Sequence, residues 1–256
     1  MERSNGMKRV IIFFTLCAGI FIGNTGFGQS KVFTNTQLWT TYQMNARLAP
    51  KWGVWVDLNQ RTQGSFIDDQ FQQAARVGII HHFTNQKSVA VGYAYFRHYR
   101  PRTGFDEVLP ENRIWAQYLK TIQQGNIQFA HRLRAEVREM KRPAEQATPN
   151  DDVQTFGRFR YQLQARISLS KKKSKLHPDW LIVSNEIMIH AGESIDRNIF
   201  DQNRLSAGYE WQAHKTVILQ AAYMHLLQFQ PIPDRWRQSH IIRLTIRHQP
   251  DWSKKK

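Results

Sequence analysis

The sequence predicts an all-β protein, an up-and-down antiparallel transmembrane β-barrel of about 10 to 12 strands. Three observations predict it: apolar and polar residues alternate over long stretches, those stretches exceed what a soluble sheet needs, and an amino-terminal segment reads as an export signal.

The alternation is clearest over residues 157–169. Gly157, Phe159, Tyr161, Leu163, Ala165, Ile167 and Leu169 fall on one face, and Arg158, Arg160, Gln162, Gln164, Arg166 and Ser168 on the other. A helical period would scatter the three arginines around a cylinder, so the stretch is a strand. The same dyad sets Ile127, Phe129, Leu133, Ala135 and Val137 against Gln128, Arg132, Arg134, Glu136 and Arg138. Residues 134–141 are also rich in helix formers, and a helix is the competing reading there. Carried along the chain, the pattern gives eleven segments: 36–48, 52–63, 70–84, 88–100, 111–123, 126–140, 153–170, 179–191, 202–213, 216–229 and 238–248. Most run to roughly 12 to 18 residues, against about five or six for an ordinary strand. With no convincing helix to cover a sheet, strands this long are expected to close on themselves.

Periodicity does not tell inside from outside. The strand lengths exceed the roughly 9 to 11 residues that span a bilayer, and Trp39, Trp52, Trp115, Trp180, Trp211 and Trp236 sit near segment ends, where interfacial girdles occur. These features favour a lipid-facing apolar row and a polar interior. Aromatic strand ends also occur in soluble barrels, so the girdle is supporting evidence only.

The connections alternate in length. Those at 49–51, 85–87, 124–126 and 214–215 are tight; those at 63–69, 101–110, 141–152, 192–201 and 230–237 are longer, and 171–178 falls by parity at the short end. Short turns at one rim and long loops at the other characterise outer-membrane barrels. Charge follows the same division. Twelve acidic residues lie in or beside the long connections: Asp68, Asp69, Asp106, Glu107, Glu111, Glu145, Asp151, Asp152, Glu193, Asp196, Asp201 and Asp234. The short end carries Lys51, Lys87, Lys171, Lys172, Lys173, Lys175 and Lys215, joined by the tail 254–256. Both rims are equally well read as solvated loops. Bacterial barrels usually have an even strand number, so eleven segments imply a hidden strand near 31–36 or a misassigned 36–48 segment.

Residues 1–28 begin with Arg3, Lys8 and Arg9, run apolar from Val10 to Gly23, and end with Gly26 and Gly28 at the −3 and −1 positions of a cleavage site before Gln29. This pattern predicts a secretory signal peptide, because the apolar run is short of the roughly 20 residues a spanning helix needs. Leu16 precedes Cys17 where a lipidation site wants a small residue. Cys17, the one cysteine, therefore leaves with the signal, and residues 29–256 form a single barrel domain.

The chain carries 36 Lys plus Arg against 20 Asp plus Glu, a net charge of +16. Loss of Arg3, Lys8, Arg9 and Glu2 with the signal leaves +14. Such a balance commonly marks nucleic-acid binding. An exported chain whose arginines alternate within strands needs another use for them.

At Leu38-Trp39, followed by Leu48, Lys51-Trp52 and the strand from Val54 to Arg61, the chain resembles the bacterial family catalogued as domain of unknown function 2490. The resemblance implies an exported outer-membrane barrel over the whole mature chain and supplies no catalytic residues. The charged tail 251–256 stands where a terminal aromatic would be expected.

No Gly-rich phosphate loop, H-E-x-x-H, G-x-S-x-G or Cys/His metal spacing occurs, and no cofactor is implied. Ser184, Glu186 and His190 share a strand face. Glu186 and His190 are roughly 13 Å apart along it, too far for a triad. His131 and His225 fall on apolar faces, where a lipid-directed acyl hydrolase would act, and an interfacial histidine is the plainer reading. Ser239 and His240 point to opposite faces. The pairs Asp68-Asp69 and Asp151-Asp152 are weak candidates for a divalent cation.

The strongest functional feature is the polar row. An arginine facing lipid at the midplane costs roughly 2 to 4 kcal/mol, so Arg132, Arg134, Arg158, Arg160, Arg166, Arg204 and Arg243 should face inward, with Asp57, Arg61, Glu136, Glu186 and Glu210 beside them. These residues predict either a plug of arginine–carboxylate pairs or a narrow pore favouring anions. The leading expectation is a non-enzymatic outer-membrane barrel in contact with membrane lipid, structural or admitting small anionic solutes, with no nucleic-acid partner. The alternatives are a membrane-embedded acyl hydrolase and a soluble periplasmic barrel binding an acidic ligand.

Overall fold

The computed structural model describes residues 31–99, 107–144, 147–148, 152–169, 178–192, 199–230 and 235–253. The expected export segment, residues 1–28, lies outside them. So do Asp106, Glu145, Asp151, Glu193, Asp196 and Asp234 of the acidic rim, and Lys171, Lys172, Lys173, Lys175 and 254–256 of the basic one.

Eleven strands follow one another along the chain: β1 (Lys31–Arg47), β2 (Trp52–Gln63), β3 (Asp69–His82), β4 (Lys87–Tyr99), β5 (Val108–Gln124), β6 (Ile127–Lys141), β7 (Val153–Ser168), β8 (Asp179–Ala191), β9 (Phe200–His214), β10 (Val217–Phe229) and β11 (Arg235–His248). Each pairs antiparallel with the next, and β1 pairs with β11 to close the barrel. Residues 134–141, where a helix competed, belong to β6.

The expectation of an even strand number is corrected. Every connection reverses the chain, so among eleven strands the first and last point the same way, and the barrel can close only through a parallel pair. β1 and β11 form that pair, in register from Lys31↔Arg235 to Met44↔His248. Residues 31–36 are therefore not a separate strand; they extend β1 to meet its parallel neighbour. The tight turns need little special chemistry. Gly125 alone among them takes a left-handed φ of +59°, in the two-residue connection between β5 and β6.

The two faces differ in chemistry all round the barrel. Leu58, Val77, Val91, Tyr93, Ile114, Leu133, Val137, Phe159, Ile187, Tyr209, Tyr223, Ile242 and Leu244 are exposed on the outer face. On β6 the outward row runs Phe129, His131, Leu133, Ala135 and Val137 before Glu139. Eight residue steps at about 3.3 Å, tilted by about 40°, give an apolar height of roughly 20 Å, near the ~25 Å band of membrane barrels. The inner face holds the buried polar groups, among them Asp57, Arg61, Glu111, Arg113, Arg134, Glu136, Arg158, Glu186 and Glu210.

The tryptophan girdle is also corrected. Trp39 and Trp115 are buried inside the barrel, and Trp180 lies inside beneath the Arg166 guanidinium, 3.5 Å from its ring centre. Trp52 and Trp211 are exposed outside. Inside, Trp115 meets Trp55 edge-on at 4.7 Å, and with Phe96, Ala74, Ala90 and Ala94 the two tryptophans form an apolar wedge over β2 to β5. Gly78 and Gly92, directly opposed on β3 and β4, make room for it. A Cβ on Gly78 or Gly92 would come within 2.6 or 2.5 Å of the Trp115 ring.

Candidate functional site

The wedge fills one side of the interior. An eleven-strand barrel tilted by about 40° has a backbone radius of roughly 11 Å, and the side away from the wedge keeps a cavity of about 1050 Å³. Thirteen arginines line it, together with Asp57, Glu186 and Asp201 as its only carboxylates among the described residues. The strand period places these groups: arginines at every second position of β6 and β7 necessarily share the inner face.

All twelve residues read from the sequence as interior face inward. Asp57 meets Arg76 at 3.3 Å. Glu186 is approached by Arg132 and Arg160, each at 2.8 Å, and by Arg204 at 3.7 Å. Glu136 is met by Arg160 at 2.8 Å, Arg113 at 3.4 Å and Arg134 at 3.7 Å. Glu210 takes Arg166 at 2.5 Å and Arg247 at 2.8 Å, and Arg158 pairs with Asp201 at 2.8 Å. Arg61 and Arg243 have no carboxylate within 4 Å among the described residues, and each keeps a buried Nε without an acceptor.

These ion pairs run along the wall. β7 reaches β9, β9 reaches β11 and β6 reaches β8, each across one intervening strand. The contacts that reach farther involve aromatic rings: Trp55 meets Trp115 from β2 to β5, Arg134 of β6 lies 4.8 Å from the Trp55 ring centre, Arg204 of β9 lies 5.1 Å from that of Trp39, and Arg237 of β11 lies 5.5 Å from that of Phe71. Among the described residues the arginine–carboxylate pairs thus follow the wall, and none bridges the lumen.

Sequence reading missed several interior groups. Glu111, assigned to the acidic rim, is wholly buried inside. It takes Arg113 through two nitrogens at 2.7 and 2.9 Å, His98 at 2.7 Å, and Arg138. Asp201, also assigned to the rim, is an extra residue opposite the Met188/Ile189 step of β8. This bulge turns its carboxylate inward beside Gln202. Asp68, Glu107 and Asp152 stay at the long-loop end, and Lys51, Lys87 and Lys215 are exposed at the other. Leaving aside Arg142 at the loop end, the cavity lining and the groups paired with it comprise thirteen arginines, counting Arg166, against six carboxylates, counting Glu111, Glu136 and Glu210. Among these described residues the arginines exceed the carboxylates by seven.

The catalytic candidates are dispersed. Ser184 hydrogen-bonds Ser206 at 2.9 Å inside, and His190 faces Asp201 at 3.4 Å. Ser239 is buried inside, while His240 lies outside against the Tyr223 hydroxyl at 2.6 Å. His131 is held outside by the Tyr161 hydroxyl at 2.9 Å, and His225 stands 5.7 Å from His240. No strand serine among the described residues faces outward beside these histidines. The Asp68 carboxylate accepts the Ser65 backbone N–H at 2.9 Å. No group of three or more His, Cys, Asp or Glu side chains comes together among the described residues. Asp151, half of the second acidic pair, lies outside them.

Neither a curated protein nor a solved structure matches the chain. Residues 36–237, more than three quarters of its length and nearly all of the barrel, match the family described as protein of unknown function (DUF2490), and the chain belongs to that family.

Proposed function

We propose that this protein is a transmembrane barrel of the bacterial outer membrane, exported by its amino-terminal signal, whose lumen is a narrow passage for small anionic solutes. One observation carries the reading: with Arg142 left aside, thirteen inward arginines face six carboxylates among the described residues around a cavity of about 1050 Å³. Charges enclosed by a protein wall attract strongly, because the effective dielectric there is far below that of water. The excess of seven guanidiniums over carboxylates therefore draws anions into the lumen and repels cations. The membrane part of the reading is supported by the exposed apolar belt and its height, which a barrel in water would leave unburied. It makes lipid the outer partner. A soluble barrel binding an acidic ligand would need the opposite distribution on its outer face.

The test is to refold residues 29–256 in detergent, verify the fold by heat-modifiable gel mobility, and record current and reversal potential in a planar bilayer under a salt gradient. The expected result is a steady anion-selective conductance whose selectivity falls in Arg243→Gln and in Arg158→Gln/Arg160→Gln. A folded barrel that passes no current overturns the passage and makes the protein a closed structural barrel.

A further inference from the structure

The interior arginines are not spread evenly. Arg61 of β2 and Arg204 of β9 share the Trp39 ring, Arg204 and Arg132 of β6 share Glu186, and Arg76 of β3 and Arg134 of β6 both reach β2, at Asp57 and Trp55. Five guanidiniums from four strands are thus linked in one part of the lumen. Asp57 is committed to Arg76 and Asn59. Glu186 is shared by Arg132, Arg160 and Arg204. Arg61 is left with the neutral Gln72 oxygen as its acceptor, although only 8% of it is exposed. The Nε groups of Arg61 and Arg132 are buried with no acceptor, which a charged donor tolerates poorly unless an anion supplies one.

Trp39 organises the cluster. Its ring lies 3.7 Å from the Arg61 guanidinium carbon and 5.1 Å from that of Arg204. The indole is itself fixed by its Nε1–H donating to Gln37 at 2.7 Å and by packing against Met224, Leu226 and Ile241. A guanidinium lying on an aromatic face keeps its N–H edges for an acceptor, and its fork matches two oxygens of one anion.

From this convergence we infer that the lumen binds a tetrahedral, multiply charged oxyanion of the phosphate class at one site, formed by Arg61 and Arg204 on the Trp39 platform with Arg76, Arg132 and Arg134 around it. Forks arriving from several directions suit an anion whose oxygens point several ways. A planar carboxylate satisfies one fork, and a halide presents no oxygens. The inference rests on the reading of the lumen as an anion passage and adds the ligand class to it. The ligand is free phosphate or the phosphoryl end of a small organic phosphate.

Binding is measured on the folded full-length mature chain in detergent micelles, by calorimetric titration with inorganic phosphate, glycerol 3-phosphate and chloride. The expected result is a single saturable phosphate site at least tenfold tighter than any chloride binding, weakened at least tenfold in Arg61→Gln and Arg76→Gln. Arg61→Lys keeps the charge, loses the fork and falls between them. If glycerol 3-phosphate binds as tightly as phosphate, the site accepts a phosphoryl end; if only phosphate binds, it takes the free ion, and either result supports the assignment. Folded wild-type protein that takes up no phosphate saturably, or takes it no better than chloride, overturns the site, as does Arg61→Gln that folds and binds like wild type. Should Arg61→Gln not fold, the wild-type comparison and Arg61→Lys decide alone. The bilayer current is an independent outcome: a silent barrel that binds phosphate keeps the site, whereas a conducting barrel that does not bind removes the site and leaves the passage.

Discussion

Glu186→Gln separates the stability of the interior from its charge, because the two should move in opposite directions. Glu186 is 4% exposed and is the carboxylate on which Arg132, Arg160 and Arg204 converge, at 2.8, 2.8 and 3.7 Å. Glutamine keeps the volume and one acceptor oxygen but removes the charge. Breaking a buried ion pair by neutralising one partner typically costs about 3 to 5 kcal/mol. Arg160 retains Glu136 at 2.8 Å, so the lower part of that range applies. The same change raises the unbalanced interior charge by one. Across roughly 8 Å at an effective dielectric of about 20, one unit charge alters the energy of a monovalent ion in the lumen by about 2 kcal/mol, less where mobile salt screens it. The variant should thus unfold at lower guanidinium concentration in detergent while its reversal potential moves toward the anion limit. Lower anion selectivity in a folded variant would refute the account of Glu186 as a fixed counter-charge, and unchanged stability would refute the lattice as a source of rigidity.

Three further outcomes follow from the geometry. Trp115→Ala should destabilise the barrel by about 3 to 5 kcal/mol and raise conductance, since it removes the wedge and the ring beneath Arg134; unfolding midpoints and single-channel current read both, and an unchanged current would mean that the wedge does not bound the passage. Gly92→Ala places a Cβ 2.1 Å from the Val77 carbonyl oxygen, a backbone atom that cannot rotate away. A loss of about 3 kcal/mol or more is expected, and a variant with wild-type gel mobility and unfolding midpoint would contradict the close approach of β3 and β4. Leu133→Arg sits near the middle of the outer belt and should cost roughly 2 to 4 kcal/mol in lipid, lowering refolding yield into vesicles, whereas Glu139→Arg at the belt edge should be close to neutral; equal yields would show that the belt does not face hydrocarbon.

Much of this barrel is legible in its sequence because a strand has a period of two. On β7 the arginines and glutamines can only share a face, and that face lines the cavity. Trp39 and Trp115 obey the same parity, standing in line with Gln37 and Thr41 and with Arg113 and Gln117. Their nearness to segment ends suggested an interfacial belt, whereas the face they occupy places them inside. Glu111 was hidden because β5 begins three residues earlier than its apolar pattern shows, and Asp201 because a bulge breaks the alternation that would have revealed it. The cavity was not legible either. Whether arginine–carboxylate pairs span the lumen or run along its wall depends on register between strands two apart, which no local pattern encodes.

Closure through β1 and β11 was beyond local reading for the same reason, and it bears on the site. Parallel pairing is somewhat weaker per residue than antiparallel pairing. Here the seam is long, with register from Lys31↔Arg235 to Met44↔His248. It is extended by the Arg47↔Asp251 bridge and by backbone hydrogen bonds from Arg47 to Pro250 at 2.9 Å and from Trp252 to Arg47 at 2.8 Å. Its inner face is closed by Gln37 donating to the Ser239 hydroxyl at 3.5 Å and by Trp39 packed against Ile241. Trp39 is thus both a closing residue of the seam and the platform under Arg61 and Arg204. Opening β1 from β11 would carry the indole, together with Arg61 on the adjoining β2, away from Arg204 of β9, so the barrel cannot part at its parallel pairing without dismantling the arginine cluster. An anion bound among those arginines would in turn hold the seam shut, which couples ligand occupancy to the stability of closure.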